Sequence, residues 1–174
     1  MYSLHDLAKI VDILRREGID GVIIGSTCRD VELGIDEFED DVDIFVLSMS
    51  PFFEGEKIYE IAERNGWDIG STELGTPSIS IPINNGSVRV ELYENIHDFY
   101  IPPESLEVCT KRVVVDDIEL NLASLECWIV FKARRWASDD MIDVSSVVQK
   151  YLNGELSLNL DTIRRVLELY EEDA

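Results

Sequence analysis

The chain has 174 residues, 45% of them hydrophobic, which is enough apolar material for one domain with a true core and excludes a disordered protein. It carries 36 acidic and 15 basic residues, and the net charge of −21 opposes unassisted binding to DNA, RNA or anionic membranes. No run of about 18 apolar residues offers a membrane span, and the opening MYSLHDLAKIV lacks the basic-then-apolar order of a secretion signal. Three widely spaced cysteines, Cys28, Cys109 and Cys127, predict reduced thiols in a cytoplasmic protein, not a disulfide frame or a zinc site.

In chain order, Ser3 and Asp6 have the spacing of a capping pair, and Leu7, Ile10, Val11 and Leu14 share one face of the helix that follows, which Gly18 ends. Gly21 to Ile24 is a short apolar strand, Gly25-Ser26 a turn, and Thr27 to Leu33 a short helix stopped by Gly34. A polar loop then leads to Asp41-Val42-Asp43 at the head of a second strand, Val42 to Leu47. A helix over Glu54 to Arg64 stops at Asn65-Gly66, and Trp67 to Ser71 reads as another strand. Ile79 to Ile83 and Ser87 to Tyr93, joined by Asn84-Asn85-Gly86, form a β-hairpin. Pro82 has no backbone N–H to give, which predicts an edge position for the first arm.

Asn95 to Leu106 is expected as a surface loop, and Arg112 to Val115 with Ile118 to Leu122 as a second hairpin around Asp116-Asp117. Helices follow: Ser124 to about Trp136, Asp139 to Tyr151 capped by Ser138, and one from Asp161 to near Tyr170. The expected fold class is α+β, with a core over residues 1–122 and C-terminal helices over 123–174 packed on it as one compact domain.

Asp41 and Asp43 lie two apart on a strand, so both carboxylates point to one face, roughly 7 Å apart along it. Ile44 to Leu47 pins that strand in the core, so the pair needs a counter-charge, and a divalent cation supplies one. In Ser87 to Tyr93, the apolar Val88, Val90 and Leu92 alternate with Arg89, Glu91 and Tyr93. If this strand neighbours the Asp strand, Glu91 completes a three-carboxylate cluster. The alternative is that Arg89, Glu91 and Tyr93 form an ordinary wet face, and that Asp41 ends the loop with Asp43 on an exposed face, which the surrounding Glu37, Glu39 and Asp40 support. Gly25-Ser26 before a helix offers free N–H groups and a dipole that favour a phosphate, although such a pair also serves as a plain turn. Lys132, Arg134 and Arg135 form the densest basic run, open either to phosphates or to surface ion pairs. The Trp128 and Trp136 rings read as packing residues, His5 and His97 as loop or surface residues, and Cys28 as a small packing residue.

Gly25-Ser26, a short helix, Asp41-x-Asp43 on an apolar strand, and the single acidic Glu91 on a later strand together resemble the DNA polymerase β-type nucleotidyltransferase superfamily. The resemblance is to the small prokaryotic predicted nucleotidyltransferases related to AbiEii proteins. By motif it covers Gly21 to Tyr93, and more loosely Lys132 with Asp139-Asp140-x-x-Asp143. It implies a twisted mixed β-sheet flanked by helices. It also implies Asp41, Asp43 and Glu91 as ligands of Mg²⁺ or Mn²⁺, with Glu91 helping to activate an acceptor hydroxyl. Gly25, Ser26 and Lys132 would hold the triphosphate of an NTP, whose monophosphate is transferred with release of pyrophosphate. The sequence departs from the pattern in having Glu as third carboxylate and Asp40 where a small hydroxyl residue is usual. The alternative is a catalytically inactive member of the fold, acting as a nucleotide-binding or regulatory module. A phosphatase of the haloacid dehalogenase type is disfavoured because there the Asp-x-Asp ends an apolar strand, whereas here the apolar strand follows it. A dinucleotide fold would need Gly-x-Gly-x-x-Gly in place of Gly25-Ser-Thr-Cys-Arg-Asp30. The charge favours a small-molecule or protein acceptor over nucleic acid, and the sequence leaves self-association open.

Overall fold

The computed structural model describes residues 1–135 and 138–172, so Trp136, where the first C-terminal helix is expected to end, lies outside the described residues. The elements run β1 (Tyr2–Ser3), α1 (Leu4–Arg16), β2 (Gly21–Ile24), α2 (Gly25–Glu32), β3 (Glu37–Phe38), β4 (Val42–Val46), α3 (Gly55–Asn65), β5 (Asp68–Ser71), β6 (Pro77–Ile83) and β7 (Gly86–Tyr93). They continue with α4 (Pro103–Cys109), β8 (Thr110–Val115), β9 (Ile118–Ala123), α5 (Leu125–Arg135), α6 (Ser138–Leu152) and α7 (Leu160–Glu172). The fold is α+β, a twisted mixed sheet flanked by helices and followed by a helical C-terminal segment. The sheet order is β5-β6-β7-β4-β2-β9-β8, with β1 and β3 forming a separate antiparallel pair. Two pairings are parallel, β4 with β7 and β2 with β9, and the other four in the large sheet are antiparallel.

Period-two alternation builds the core and, by default, the site. Val42, Ile44 and Val46 of β4 are buried, as are Val88, Val90 and Leu92 of β7 and Ile79 and Ile81 of β6. Burying those positions turns Asp43, Arg89 and Glu91 to the opposite face. Around this sheet α1 buries Leu7, Ala8, Ile10, Val11 and Leu14, and α3 buries Ile58, Ile61 and Ala62. The capping box on α1 forms as the Ser3 and Asp6 spacing predicts, and Gly66 ends α3 in the left-handed conformation at φ 73°. Asp116 and Asp117 take φ values of 53° and 65°, the double positive φ that a two-residue hairpin turn requires.

Five features differ from the sequence reading. The helix after β2 begins at Gly25, so Gly-Ser forms its first turn and not a turn before it. The polar loop before Asp41 contains β3, whose two residues pair with β1, too short to register as a periodic pattern. The expected surface loop after Asn95 contains α4, which Pro103 opens from its first position. Strand β6 is interior, not an edge, but β5 pairs only with Pro77 to Ser80, so Pro82 lies past the end of its neighbour and no ladder bond is lost there. Finally, Cys109 and Cys127 are joined as a disulfide with Cα atoms 6.2 Å apart, correcting the expectation of three free thiols. Folding sets the last residue of α4 against the first turn of α5, a proximity that a separation of 18 residues does not reveal. Cys28 is free and buried. Among the described residues, no helix is long and apolar enough to cross a membrane.

Leu92 sits on β7 with no exposed surface, one residue from Glu91. Leu92→Ala is expected to cost about 2–5 kcal/mol through the lost transfer energy and the cavity left behind. Urea unfolding followed by circular dichroism should show a lower midpoint with an unchanged slope.

Candidate active site

The parallel pairing of β4 with β7 sets Asp43 directly across from Glu91. On its other side Asp43 faces Ile24, the last residue of β2 and the one before Gly25. Val42 pairs with Val90, which puts Asp41 at the same level as Arg89, one step along the same face. The structure therefore brings Asp41 and Asp43, at the start of β4, beside Glu91 in the second half of the parallel strand β7. Among the described residues, no three acidic, histidine or cysteine side chains form a ready-made metal cage.

Gly25 and Ser26 lie beside that end. Gly25 has φ 76°, and a Cβ added there would collide with the Asp43 carboxylate. Both facts call for glycine: the backbone is left-handed, and the carboxylate occupies the space a side chain would need. Ile24, at the N-cap of α2, contributes no side-chain cap, so the first N–H groups of this helix have no side-chain acceptor at that position. The positive end of α2 thus opens next to Asp43.

The surroundings of Asp41 and Asp43 favour their protonated forms. Burial, and then the charge of Glu91, push Asp43 up to about 7, while Lys132 acts in the opposite direction. Burial, and then the hydrogen bond and charge shared with Glu91, push Asp41 up to about 6, with Arg89 opposing. Tyr93 donates its hydroxyl proton to Glu91 Oε2 at 2.7 Å, and burial followed by that bond raises the phenol pKa further from ionisation. Asp40, the residue that departs from the superfamily pattern, has an exposed side chain and joins the fold through its backbone carbonyl.

Lys132, on α5, reaches the same region. Its ammonium is nearly buried and lies 3.2 Å from Asp140 Oδ1, and Arg135 Nε lies 3.5 Å from Asp140 Oδ2. A cavity of about 490 Å³ runs from Gly25, Asp43 and Lys132 to an aromatic end that includes Phe99, Tyr100 and Tyr170. That size suits a drug-sized or nucleotide-sized ligand. Ser26, Asp41 and Glu91 are not part of its wall, so the cavity meets the carboxylates from the Asp43 side. Arg134 lines the cavity and stacks over the Tyr170 ring at 4.7 Å while remaining exposed.

Sequence reasoning missed Tyr93 as a partner of Glu91, Asp140 as the holder of Lys132, and Tyr2 and Thr27, which touch the backbone just before Asp43. The Glu91-x-Tyr93 spacing was a usable signal for the first, since two residues apart on a strand share a face. The others depend on contacts far apart in sequence.

A sheet of this order, with an Asp-x-Asp strand beside a third carboxylate and a glycine-opened helix, defines a nucleotidyltransferase-type fold. The chain matches the family described as "Nucleotidyl transferase of unknown function (DUF2204)" over residues 3–174, and it belongs to that family. No curated protein matches the sequence. Among solved structures, it is similar to an antigenic nucleotidyltransferase-like protein from Paracoccidioides brasiliensis, with 16% identity, a TM-score of 0.57, and coverage of 83% of this chain and 72% of that one. It is also similar to the antibiotic-resistance factor ANT(2'')-Ia in its solution structure, with 14% identity, a TM-score of 0.53, and coverage of 96% and 90%. The crystal structure of ANT(2")-Ia in complex with adenylyl-2"-tobramycin matches at 13% identity and a TM-score of 0.51, covering 98% of each chain. At these identities the likeness is one of fold.

Because both Asp pKa values are raised above the ordinary 3.8, the folded chain holds more protons than the unfolded chain across the interval between. The stability contributed by these carboxyls is therefore fully present below about pH 4 and is lost as pH rises through about 6 to 7. In metal-free buffer, the stability of Asp43→Asn relative to wild type should improve as pH rises from about 5 to about 8. Denaturation midpoints of both proteins across that range test this, and a difference that does not change with pH contradicts it.

Proposed function

We propose that this protein is a metal-dependent nucleotidyltransferase, moving a nucleoside monophosphate from an NTP to an acceptor hydroxyl with release of pyrophosphate. The observation that carries the reading is Asp43 held across from Glu91, with Gly25 closed over the Asp43 carboxylate at the open end of α2. The donor set consists of hard carboxylate oxygens, which suit Mg²⁺ or Mn²⁺ and not a thiophilic metal. An open arrangement fits Mg²⁺, which takes one or two carboxylates together with substrate phosphates and does not need an all-protein cage. Bound to Asp41 and Asp43, with Glu91 as third ligand, such ions would polarise the α-phosphate and neutralise charge on the leaving pyrophosphate.

The chain's own residues divide the remaining work. The N–H groups at the start of α2 and the Ser26 hydroxyl bind the triphosphate, with Gly25 allowing close approach. Lys132 adds positive charge on the cavity side, and Asp140 keeps its ammonium in place. Glu91 accepts the proton of the acceptor hydroxyl as its oxygen attacks the α-phosphorus and the bond to pyrophosphate breaks. The Tyr93 hydroxyl donates to Glu91 Oε2 and holds that carboxylate in place. The aromatic end of the cavity accommodates the nucleoside.

The acceptor, on grounds of charge, is a small molecule or a protein hydroxyl, because a chain of net charge −21 repels polyanions. Calorimetry of each nucleoside triphosphate with Mn²⁺ tests the reading. Wild type should bind only with the metal present, and Asp43→Asn should bind at least about tenfold more weakly. Glu91→Gln should retain the nucleotide but transfer no label from an α-³²P-labelled NTP. Absence of binding in wild type, or equal binding in Asp43→Asn, would sink the proposal. Binding by wild type without transfer to any acceptor would identify a nucleotide-binding module of the same fold.

A further inference from the structure

Tyr2 has no part in the proposed transfer itself, yet its hydroxyl lies against the peptide that carries Asp41. The ring is buried, with 5% of its surface exposed, and packs on Phe38 with ring centres 5.3 Å apart. The β1–β3 ladder sets Tyr2 across from Phe38, and Leu4 N donates to the Asp36 carbonyl at 2.9 Å. The whole return from α2 to β4 is therefore anchored on residues 2–4. At the end of that return, the Tyr2 hydroxyl donates to the Asp40 carbonyl at 2.8 Å. It also lies 2.9 Å from Thr27 Oγ1, and Thr27 Oγ1 lies 3.4 Å from the Asp41 carbonyl.

The two hydroxyls have one proton each, which fixes the directions. The Tyr2 proton goes to Asp40 O, so the Thr27 proton must serve the Tyr2 oxygen, with the longer approach to Asp41 O as a minor share. Thr27 is 1% exposed and belongs to the first turn of α2, two residues after Gly25. A continuous chain of hydrogen bonds thus runs from the start of α2, through Tyr2, to the peptide that carries Asp41.

We propose that Tyr2 is a positioning residue that fixes the Asp41 backbone against the first turn of α2, so that the Asp41 carboxylate and the phosphate-facing N–H groups are set in one register. The inference rests on the nucleotidyl reading for the role of Asp41, while the coupling itself is a property of the fold. Rigid support matters here because three carboxylates repel one another. Without the Tyr2 bond, Asp41 lies just before the β4 ladder and keeps only the long Thr27 contact at its carbonyl against that repulsion, so its backbone loosens. Asp43 is held within the β ladder and would not move with it.

The test uses the full chain and three variants. Tyr2→Phe keeps the buried ring and removes the hydroxyl, Thr27→Val removes the relay, and Thr27→Ser restores it. Hydrogen–deuterium exchange of residues 39–43 should speed up in Tyr2→Phe and Thr27→Val, and stay at the wild-type rate in Thr27→Ser. With nucleoside triphosphate present, Mn²⁺ should bind roughly tenfold more weakly to the first two variants, as expected when a support behind a metal ligand is lost. A merely structural role for Tyr2 would lower the melting temperature and weaken all binding together, and Thr27→Ser would not separate from Thr27→Val. Unaltered exchange at residues 39–43 in Tyr2→Phe overturns the proposal, and so does exchange that rises there while Mn²⁺ affinity holds. If Tyr2→Phe does not fold, Thr27→Val carries the same comparison. If wild type binds no Mn²⁺ with any nucleotide, the nucleotidyl reading falls, and the exchange result alone decides whether Tyr2 holds the Asp41 backbone.

Discussion

Asp41, Asp43 and Glu91 share one face of two adjacent parallel strands and repel one another, and burial of Asp43 sharpens that repulsion by removing water. Such an arrangement is costly and persists only because the surrounding structure over-determines it. Val42, Ile44, Val90 and Leu92 are fully or nearly buried, so the strands cannot rotate to relieve the strain without exposing the core. The charged face is the unavoidable reverse of the apolar one.

The flanking elements answer this local charge in different ways. The start of α2 offers partial positive charge next to Asp43, and glycine at position 25 is what allows the approach. Lys132 arrives from α5, where Asp140 holds it and leaves Arg135 close by. Tyr93 binds the third carboxylate from its own strand. These groups lower the cost of the cluster but do not remove it, since Asp41 and Asp43 both remain well above the ordinary aspartate range. Under the proposed function, a cation bound at these carboxylates would release protons as it binds at neutral pH.

The exposed side chain of Asp40 resolves an apparent conflict in the motif. A fourth carboxylate beside the pair would add repulsion if it pointed inward. Its carbonyl is instead drawn to Tyr2. Position 40 is tied into the fold through its backbone carbonyl, while its exposed carboxylate adds a minor negative charge beside Asp41 and Tyr2. The same residue shows how a linear motif can mislead: spacing gives the order of side chains along a strand but not where a residue just outside the strand will point.

Much of the framework is legible from local chemistry. Strand β2, the heads of β4 and β7, the capping box of α1 and the Asp116-Asp117 turn follow from alternation, capping and turn preference, because those signals act within a few residues. The shared face of Asp41 and Asp43 also follows from sequence, since it is a consequence of strand periodicity alone. That Glu91 lies beside them could be stated only as a condition, because which strands neighbour one another depends on loop closure and core packing over the whole stretch between the two strands. The partners of the site, Tyr2 with Thr27 and Lys132 with Asp140, and the joining of Cys109 to Cys127, were decided by tertiary structure. Their signals are single polar or sulfur atoms whose meaning arises only when burial removes water and leaves each one needing a specific partner.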